Sequence, residues 1–146
     1  MERIDPQVAK RVWQRVQGDE MSVRSLLAAE RRCHGAYRQL KRMLPGKSRS
    51  LQQLEESCGL RIRCLLGIDN LLTGVRTSEL PLKPRQETAQ GLLRHCYQQS
   101  ASLAADYQRR GEHPEYGGVF TELAGQMRQQ CIKLLEILGS MEKSTR

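Results

Sequence analysis

The sequence is poor in aromatic and β-branched residues. Its 146 residues include one tryptophan, one phenylalanine and four tyrosines. Strands are usually rich in these residue types, whereas the leucine, alanine, glutamine, glutamate, arginine and lysine that dominate here favour helices. The composition therefore predicts an all-α protein, and the length suits one domain with a hydrophobic core.

Long apolar runs are missing as well. No stretch of about 18 apolar residues occurs, so we expect no membrane-spanning helix. The N-terminal segment MERIDPQVAKRVW is charged and amphipathic, and it lacks the apolar centre of a secretory signal. These absences predict a cytoplasmic protein that does not bind membranes.

Recognised metal and catalytic motifs are absent. The five cysteines include no CxxC pair, which excludes a zinc ribbon, and their odd number without an export signal argues against a disulfide framework. No Ser/His/Asp arrangement, nucleophile motif or glycine-rich phosphate loop is visible. The function must therefore be sought in the pattern of the helices.

Apolar residues recur at steps of three and four in several segments separated by turn-forming residues. The stripes of the later segments also contain Arg61, Ser100, Tyr107 and Gln130. Asp5-Pro6 predicts the start of a short helix that ends at Gly18. Four longer helices follow, with breaks at Pro45-Gly46, at VRTSELPLKPRQ and at GEHPEYGG. We predict a short N-terminal helix (residues 1–18) packed on an antiparallel four-helix bundle (residues 19–146), whose two hairpins are joined by a crossover connection.

One position in the first apolar stripe is a carboxylate. In LLAAERRCHGAYRQLKRML, Leu26, Cys33, Tyr37 and Leu40 recur at helical spacing, and Glu30 falls between Leu26 and Cys33. Burial of a carboxylate is costly unless the group is paired, protonated or bound to a metal. Glu30 is therefore the first candidate functional residue.

Four stretches together resemble a known family: LLAAERRCHGAY, LRIRCLLGIDNLLTG, QSASLAADY and VFTELAGQMRQQCIKLLEIL. Their pattern over residues 20 to 140 is similar to the ferritin-like superfamily, and within it to the rubrerythrin-like bundles. The resemblance implies a crossover four-helix bundle, association into dimers, and two metal ions inside the bundle. Helices one and three would each supply a glutamate, and helices two and four would each supply a Glu-x-x-His pair.

The expected metal ligands are largely missing. No Glu-x-x-His occurs anywhere in the chain, and one of six expected ligands, Glu30, is present. The six positions that the resemblance assigns to ligands are Glu30, Cys58, Arg61, Ser100, Met127 and Gln130. We therefore expect no cofactor at the usual di-iron site and no di-iron oxidase chemistry. We also expect Glu30 and Arg61 to form a buried pair, with a solvent-directed Arg61 as the alternative.

The cysteines offer a second interpretation. The chain directions of this family would bring Cys33, Cys96 and Cys131 into one layer, with Cys58 near it. Such thiols could bind zinc or copper, or, together with Glu30, form a rebuilt metal site for an iron or redox enzyme. The alternative is that these cysteines simply fill the core as small apolar residues.

Acidic residues are absent from residues 31 to 49, while the whole chain carries a formal charge of +8. This segment predicts a basic face that binds polyanions electrostatically, with a solvated helix surface as the alternative. Its basic residues are Arg31, Arg32, Arg38, Lys41, Arg42, Lys47 and Arg49. The sequence therefore favours a non-catalytic structural, assembly or binding protein with an unidentified protein partner. The alternative is a metal-binding oxidoreductase, which would use either the rebuilt site around Glu30 and the core cysteines or a di-iron site that this alignment of the helices misses.

Overall fold

The computed structural model describes the backbone of residues 6–74 and 83–144 and the side chains of residues 7, 23–74 and 83–141. These ranges are mostly helical and contain no strand, as the composition predicts. The four long helices are α1 (Pro6–Met43), α2 (Ser48–Thr73), α3 (Ala89–Arg109) and α4 (Gly117–Ser144). Short 3₁₀ turns at Pro45–Lys47 and Arg110–Glu112 precede α2 and α4.

The first helix is one continuous element. The sequence predicted a separate short helix that ends at Gly18, and this boundary is wrong, because α1 runs through Gly18 for 38 residues. A single glycine inside a helix costs only about 1 kcal/mol relative to alanine, so it need not end one. Whether residues 1–18 pack on the bundle, as predicted, depends on side chains outside the described residues.

The other helix boundaries follow local rules. Gly74 ends α2 in the left-handed conformation with a φ of 71°, a backbone geometry that glycine adopts without strain. Thr88 caps α3, because its hydroxyl accepts a 3.0 Å hydrogen bond from the backbone N–H of Gly91. Both ends lie close to where the turn-forming residues predicted them.

The helices pack mainly as two pairs. α1 lies along α2 and α3 lies along α4, each pair joined by a short turn, and the pairs meet through α1 with α3 and through α2 with α4. Gln39 of α1 clamps the segment before α3, since its amide donates to the Arg85 carbonyl at 2.6 Å and accepts from the Arg85 N–H at 3.1 Å. Lys133 of α4 contacts Gln53 of α2 at 3.4 Å.

The predicted stripes face the core. Nearly every stripe position is buried, and only those nearest the helix ends, such as Leu44 and Leu72, are half-buried. Five polar side chains are also buried in this core: Glu30, Arg61, Asp69, Ser100 and Gln130. Four of them lie at stripe positions, so the bundle contains a polar layer within an otherwise apolar interior.

We find no helix in the described part of the chain with the length and apolar character needed to cross a bilayer. This agrees with the sequence, in which charged residues interrupt every apolar segment.

Candidate functional site

Side chains from α1, α2 and α3 meet at Glu30, which is completely buried. Its Oε1 atom accepts a 2.8 Å hydrogen bond from Nε of Arg61 and a 2.9 Å hydrogen bond from the hydroxyl of Tyr107. The pairing of Glu30 with Arg61 predicted from the sequence is therefore confirmed. The alternative, in which Arg61 extends to solvent, is wrong, because this residue is only 1% exposed.

The network continues from Arg61 into α4 and returns to α3. Nη2 of Arg61 donates to Oε1 of Gln130, and Nε2 of Gln130 donates to Oγ of Ser100 at 2.9 Å. All four helices thus contribute to one chain of buried hydrogen bonds, which runs from Tyr107 through Glu30, Arg61 and Gln130 to Ser100. Such a connected network stabilises one arrangement of the helices.

Cys58 completes the surroundings of the carboxylate. Its Sγ atom lies 3.1 Å from Oε2 of Glu30 and 3.1 Å from the backbone carbonyl of the same residue. A thiol has one proton, so it donates to these two acceptors alternately or as a shared, weak hydrogen bond. Both carboxylate oxygens of Glu30 therefore have donors.

The electrostatics of the layer keep its neutral groups neutral and Arg61 charged. Burial, reinforced by the Glu30 carboxylate, raises the pKa of Tyr107 and of Cys58 far above their usual values. Burial alone would lower the pKa of Arg61, but its ion pair and hydrogen bond with Glu30 outweigh that effect and raise it. The centre thus holds one carboxylate and one guanidinium, surrounded by neutral donors.

The six positions that the resemblance assigns to metal ligands all lie in the core. Five of them belong to the hydrogen-bonded network: Glu30, Cys58, Arg61, Ser100 and Gln130. The sixth, Met127, is fully buried one turn before Gln130 on α4. The residue types do not fit two iron ions, because a guanidinium, a thioether, a hydroxyl and an amide stand where carboxylates and imidazoles would be needed.

Two buried polar atoms beside the network have no hydrogen-bond partner among the described residues. They are Nη1 of Arg61 and the hydroxyl of Tyr37. The Cys33, Cys58 and Cys96 thiols and the Ser100 hydroxyl lie close enough to Tyr37 to influence the pKa of its phenol, which burial raises strongly. A layer with unsatisfied donors is less stable than its hydrogen bonds alone imply.

The cysteines predicted as a thiol site are free and largely removed from solvent. Cys33, Cys58 and Cys96 are buried, whereas Cys131 is half-buried. Burial raises the pKa of Cys33 to about 12 and raises that of Cys96 as well, so both are protonated at neutral pH. Within the described ranges, no three His, Cys, Asp or Glu side chains are grouped so that they could hold a metal ion. The zinc or copper site stays a prediction.

A second buried carboxylate was missed in the sequence. Asp69 of α2 is completely buried, and its Oδ1 atom lies 3.4 Å from Nε of Arg24 on α1. The signal was available, because Ile62, Leu65 and Asp69 follow one another at steps of three and four. The same rule that singled out Glu30 would have found it.

The predicted basic face forms part of a concave site of about 790 Å³, here named the cationic pocket, between α1, α2 and the segment before α3. Four of the predicted residues line it, namely Arg31, Arg32, Arg38 and Arg42. Three more cations, which the sequence reasoning missed because they lie on other elements, complete the lining: Arg63, Lys83 and Arg85.

The remaining predicted basic residues lie apart from this pocket. Lys41 and Arg49 line an adjacent surface depression at the α1–α2 turn, together with Arg38 and Arg42, and Lys47 lines neither concavity. Lys41 is partly neutralised, because its ammonium group forms an ion pair with Glu55 and a 2.5 Å hydrogen bond to Gln52. The strongest concentration of positive charge is therefore in the cationic pocket.

Comparison of the chain with protein-family models, with curated proteins and with solved structures finds no match. The residues and their geometry are therefore the basis for inferring the function.

Proposed function

We propose that the chain is a ferritin-like, rubrerythrin-like bundle in which a buried ion pair replaces the di-iron centre, and that it acts as a non-catalytic structural, assembly or binding protein. The observation that carries this proposal is the 2.8 Å hydrogen bond between Arg61 and Glu30. Both residues lie at positions that the resemblance assigns to metal ligands. A guanidinium there supplies positive charge and donors to the carboxylate, as a metal ion would supply charge and coordination.

The contacts between the helices support the crossover topology. Glu30 meets Tyr107 near the end of α3, whereas Gln39, farther along α1, meets Arg85 just before α3. These contacts favour opposite directions for α1 and α3. Because α1 and α2 form a hairpin, α2 and α3 would then run the same way, and residues 74–88 would have to traverse the length of the bundle. That is the connection by which ferritin-like bundles join their hairpins.

The chemistry of the layer supports a non-catalytic role. Its nucleophiles are protonated thiols and a protonated phenol, all with a raised pKa and no solvent exposure. Its charged groups, Glu30 and Arg61, neutralise each other. A buried pair of this kind fixes the mutual arrangement of the helices, and it leaves the outer surface to perform the binding or assembly function.

The decisive experiment is elemental analysis of the full chain, purified without chelator and without oxygen. We expect iron, manganese, zinc and copper each below about a tenth of an atom per chain. The six positions lack a ligand set for hard cations, and the described thiols are not grouped to hold zinc or copper. About two irons or manganeses per chain would overturn the proposal and restore the oxidoreductase alternative. About one zinc or copper, lost on changing Cys58 and Cys96 to serine, would instead establish the rebuilt thiol site.

A further inference from the structure

The cationic pocket has the size and shape of a small-molecule site. Its volume of about 790 Å³ lies within the range of roughly 300 to 1,000 Å³ that is typical of ligand pockets. Seven arginine and lysine side chains and two histidines line it, and no aspartate or glutamate does. The charged groups of this pocket therefore favour an anionic ligand.

Most of these charges are not neutralised by the protein. Arg38 lies 3.4 Å from Glu55 and Arg85 lies 3.0 Å from Glu87. In the part of the chain that the structure describes, no carboxylate forms an ion pair with Arg32, Arg63 or Lys83, nor with Arg31 or Arg42. A concave site with several uncompensated cations concentrates the positive potential and attracts anions from solution.

Arg31 provides a more specific indication. Its Nε and Nη2 atoms are buried and have no hydrogen-bond partner among the described residues. Burial of unpaired guanidinium donors is costly, and an oxygen of a bound anion would remove that cost. Phosphate and carboxylate groups both suit the planar fork of an arginine, because each can accept two parallel hydrogen bonds. The number of uncompensated cations in this pocket favours phosphates, which carry more negative charge per group.

One wall of the pocket is held in place by the protein itself. The double hydrogen bond between the Gln39 amide and the backbone of Arg85 fastens the segment that carries Lys83 to α1. The cations of this segment are thereby fixed beside those of α1 and α2 before any ligand binds. Such a preformed arrangement reduces the entropy lost on binding.

The lining also distinguishes between kinds of phosphorylated ligand. Apart from the two histidines it contains no aromatic ring, so the stacking surface on which single-stranded nucleic acids depend is small. Ala36, Ile62 and Leu66 instead give the pocket an apolar part beside its cations. We propose that the cationic pocket binds a small molecule with two or more linked phosphate groups. The ligand of this class is either a nucleoside triphosphate or a short inorganic polyphosphate. This inference concerns the surface and goes beyond the proposal for the buried layer.

The test is isothermal titration calorimetry of the full chain with inorganic triphosphate and, separately, with ATP. We expect one site per chain, and at least about fivefold weaker binding of both probes after Arg32→Gln or Arg63→Gln, since each change removes one charge-assisted contact. Both arginines are exposed, so these variants should fold normally. The matched control is Arg128→Gln, which removes the same charge from the exposed face of α4, away from the pocket. We expect it to change affinity by less than about twofold.

An NMR titration of His95 gives a second readout. Burial, then Arg85 and Arg32, lower the pKa of His95, although Glu87 opposes them. A phosphate bound beside this ring would raise its pKa, whereas nonspecific binding elsewhere would leave it unchanged. Tighter binding of ATP than of triphosphate would show that the apolar part contacts the nucleoside, and equal binding would identify the phosphate chain as the whole ligand.

Three results would overturn the inference. One is the absence of any heat of binding at about 1 mM of either probe. The dissociation constant would then exceed about 1 mM, and the affinity would be lower than that of ordinary phosphate recognition. Another is an equal loss of affinity in the Arg128→Gln variant and in the pocket variants. This result would indicate that the phosphates are attracted to the basic protein in general and not to the cationic pocket. The third is tight binding of a single-stranded oligonucleotide that triphosphate does not displace. None of them alters the metal content, so failure here is distinguishable from failure of the bundle proposal.

Discussion

The guanidinium of Arg61 and the carboxylate of Glu30 are 2.8 Å apart, and both are almost completely removed from solvent. Charges buried in this way are stable only together, because each alone would have to be desolvated without compensation. The partners come from helices adjacent in sequence, α1 and α2, while the Tyr107 and Gln130 side chains extend the contact to α3 and α4. The pair therefore couples the two hairpins of the bundle.

A double-mutant cycle measures that coupling. We expect Arg61→Met or Glu30→Gln alone to lower the free energy of unfolding by about 3–5 kcal/mol, since each leaves a buried charge unpaired. The double variant should lose less than the sum of the two, with an interaction energy of about 2 kcal/mol or more, because no unpaired charge remains. Urea denaturation followed by circular dichroism gives these values.

The exposed pair Arg109 and Asp106 is the matched control for this cycle. The arginine side chain is 76% exposed and the aspartate side chain 33% exposed, so Arg109→Met and Asp106→Asn should couple by less than about 1 kcal/mol. Additive effects of the Glu30 and Arg61 changes, at the level of this surface pair, would mean that the buried pair does not hold the bundle together.

Thiol counting tests the burial of the core. At pH 8 we expect Cys64 and Cys131, both half-buried, to react with a disulfide reagent in the native protein. Cys33, Cys58 and Cys96 should react only in denaturant, because burial raises their pKa and blocks access. A Cys64→Ser, Cys131→Ser variant should then be unreactive until it unfolds. Rapid reaction of Cys58 in that variant would contradict the closed core.

The same raised pKa values predict how stability depends on pH. Above the ordinary thiol pKa of 9.0, the unfolded chain loses thiol protons that the folded chain still retains, since the pKa of Cys33 is raised to about 12. The unfolded state then binds fewer protons, so the free energy of unfolding must fall as the pH rises above 9. Replacing Cys33 and Cys96 by alanine should flatten this decline relative to the wild type. An identical slope in that variant would show that other groups cause it.

His95 gives a prediction on the acidic side. Since Arg85 is a cause of its lowered pKa, after burial, Arg85→Ala should raise the pKa of His95. The lowered value also means that the unfolded state binds this proton more readily, so stability should fall as the pH drops through about 6.5, the ordinary histidine value. NMR titration of the imidazole signals measures the shift. Arg128→Gln, which lies on another helix, should leave it unchanged.

The sequence revealed the central pair but not its setting. Glu30 and Arg61 were identifiable because a charged residue in an apolar stripe must be compensated, and helical spacing alone placed both in stripes. The third partner, Tyr107, was placed in a stripe too, but its hydroxyl bond to Glu30 depends on side-chain orientation that spacing does not specify. The end of a helix at Gly18 was mispredicted, because one glycine is a weak helix-breaking signal.

The cationic pocket shows a different limit of sequence reasoning. Arg31 and Arg32 were found as members of a continuous basic run, whereas Lys83 and Arg85 are about 50 residues away along the chain. The clamp between Gln39 and Arg85 holds the two groups together. A site whose residues are brought together by the connection between two hairpins can therefore be identified only once the tertiary structure is known.

Rebuilding the ligand set tests the proposal that the buried layer occupies the place of a di-iron centre. We expect the fivefold variant Cys58→Glu, Arg61→His, Ser100→Glu, Met127→Glu, Gln130→His to bind about two iron or manganese ions per chain, because with Glu30 it completes the arrangement that the resemblance implies. Without metal, its clustered carboxylates should repel one another and lower the melting temperature, and added metal should restore it. The control carries the same changes plus Glu30→Ala and should bind metal more weakly. If circular dichroism shows that the variant is still helical but it takes up no metal, these six positions do not share the ferritin-like geometry.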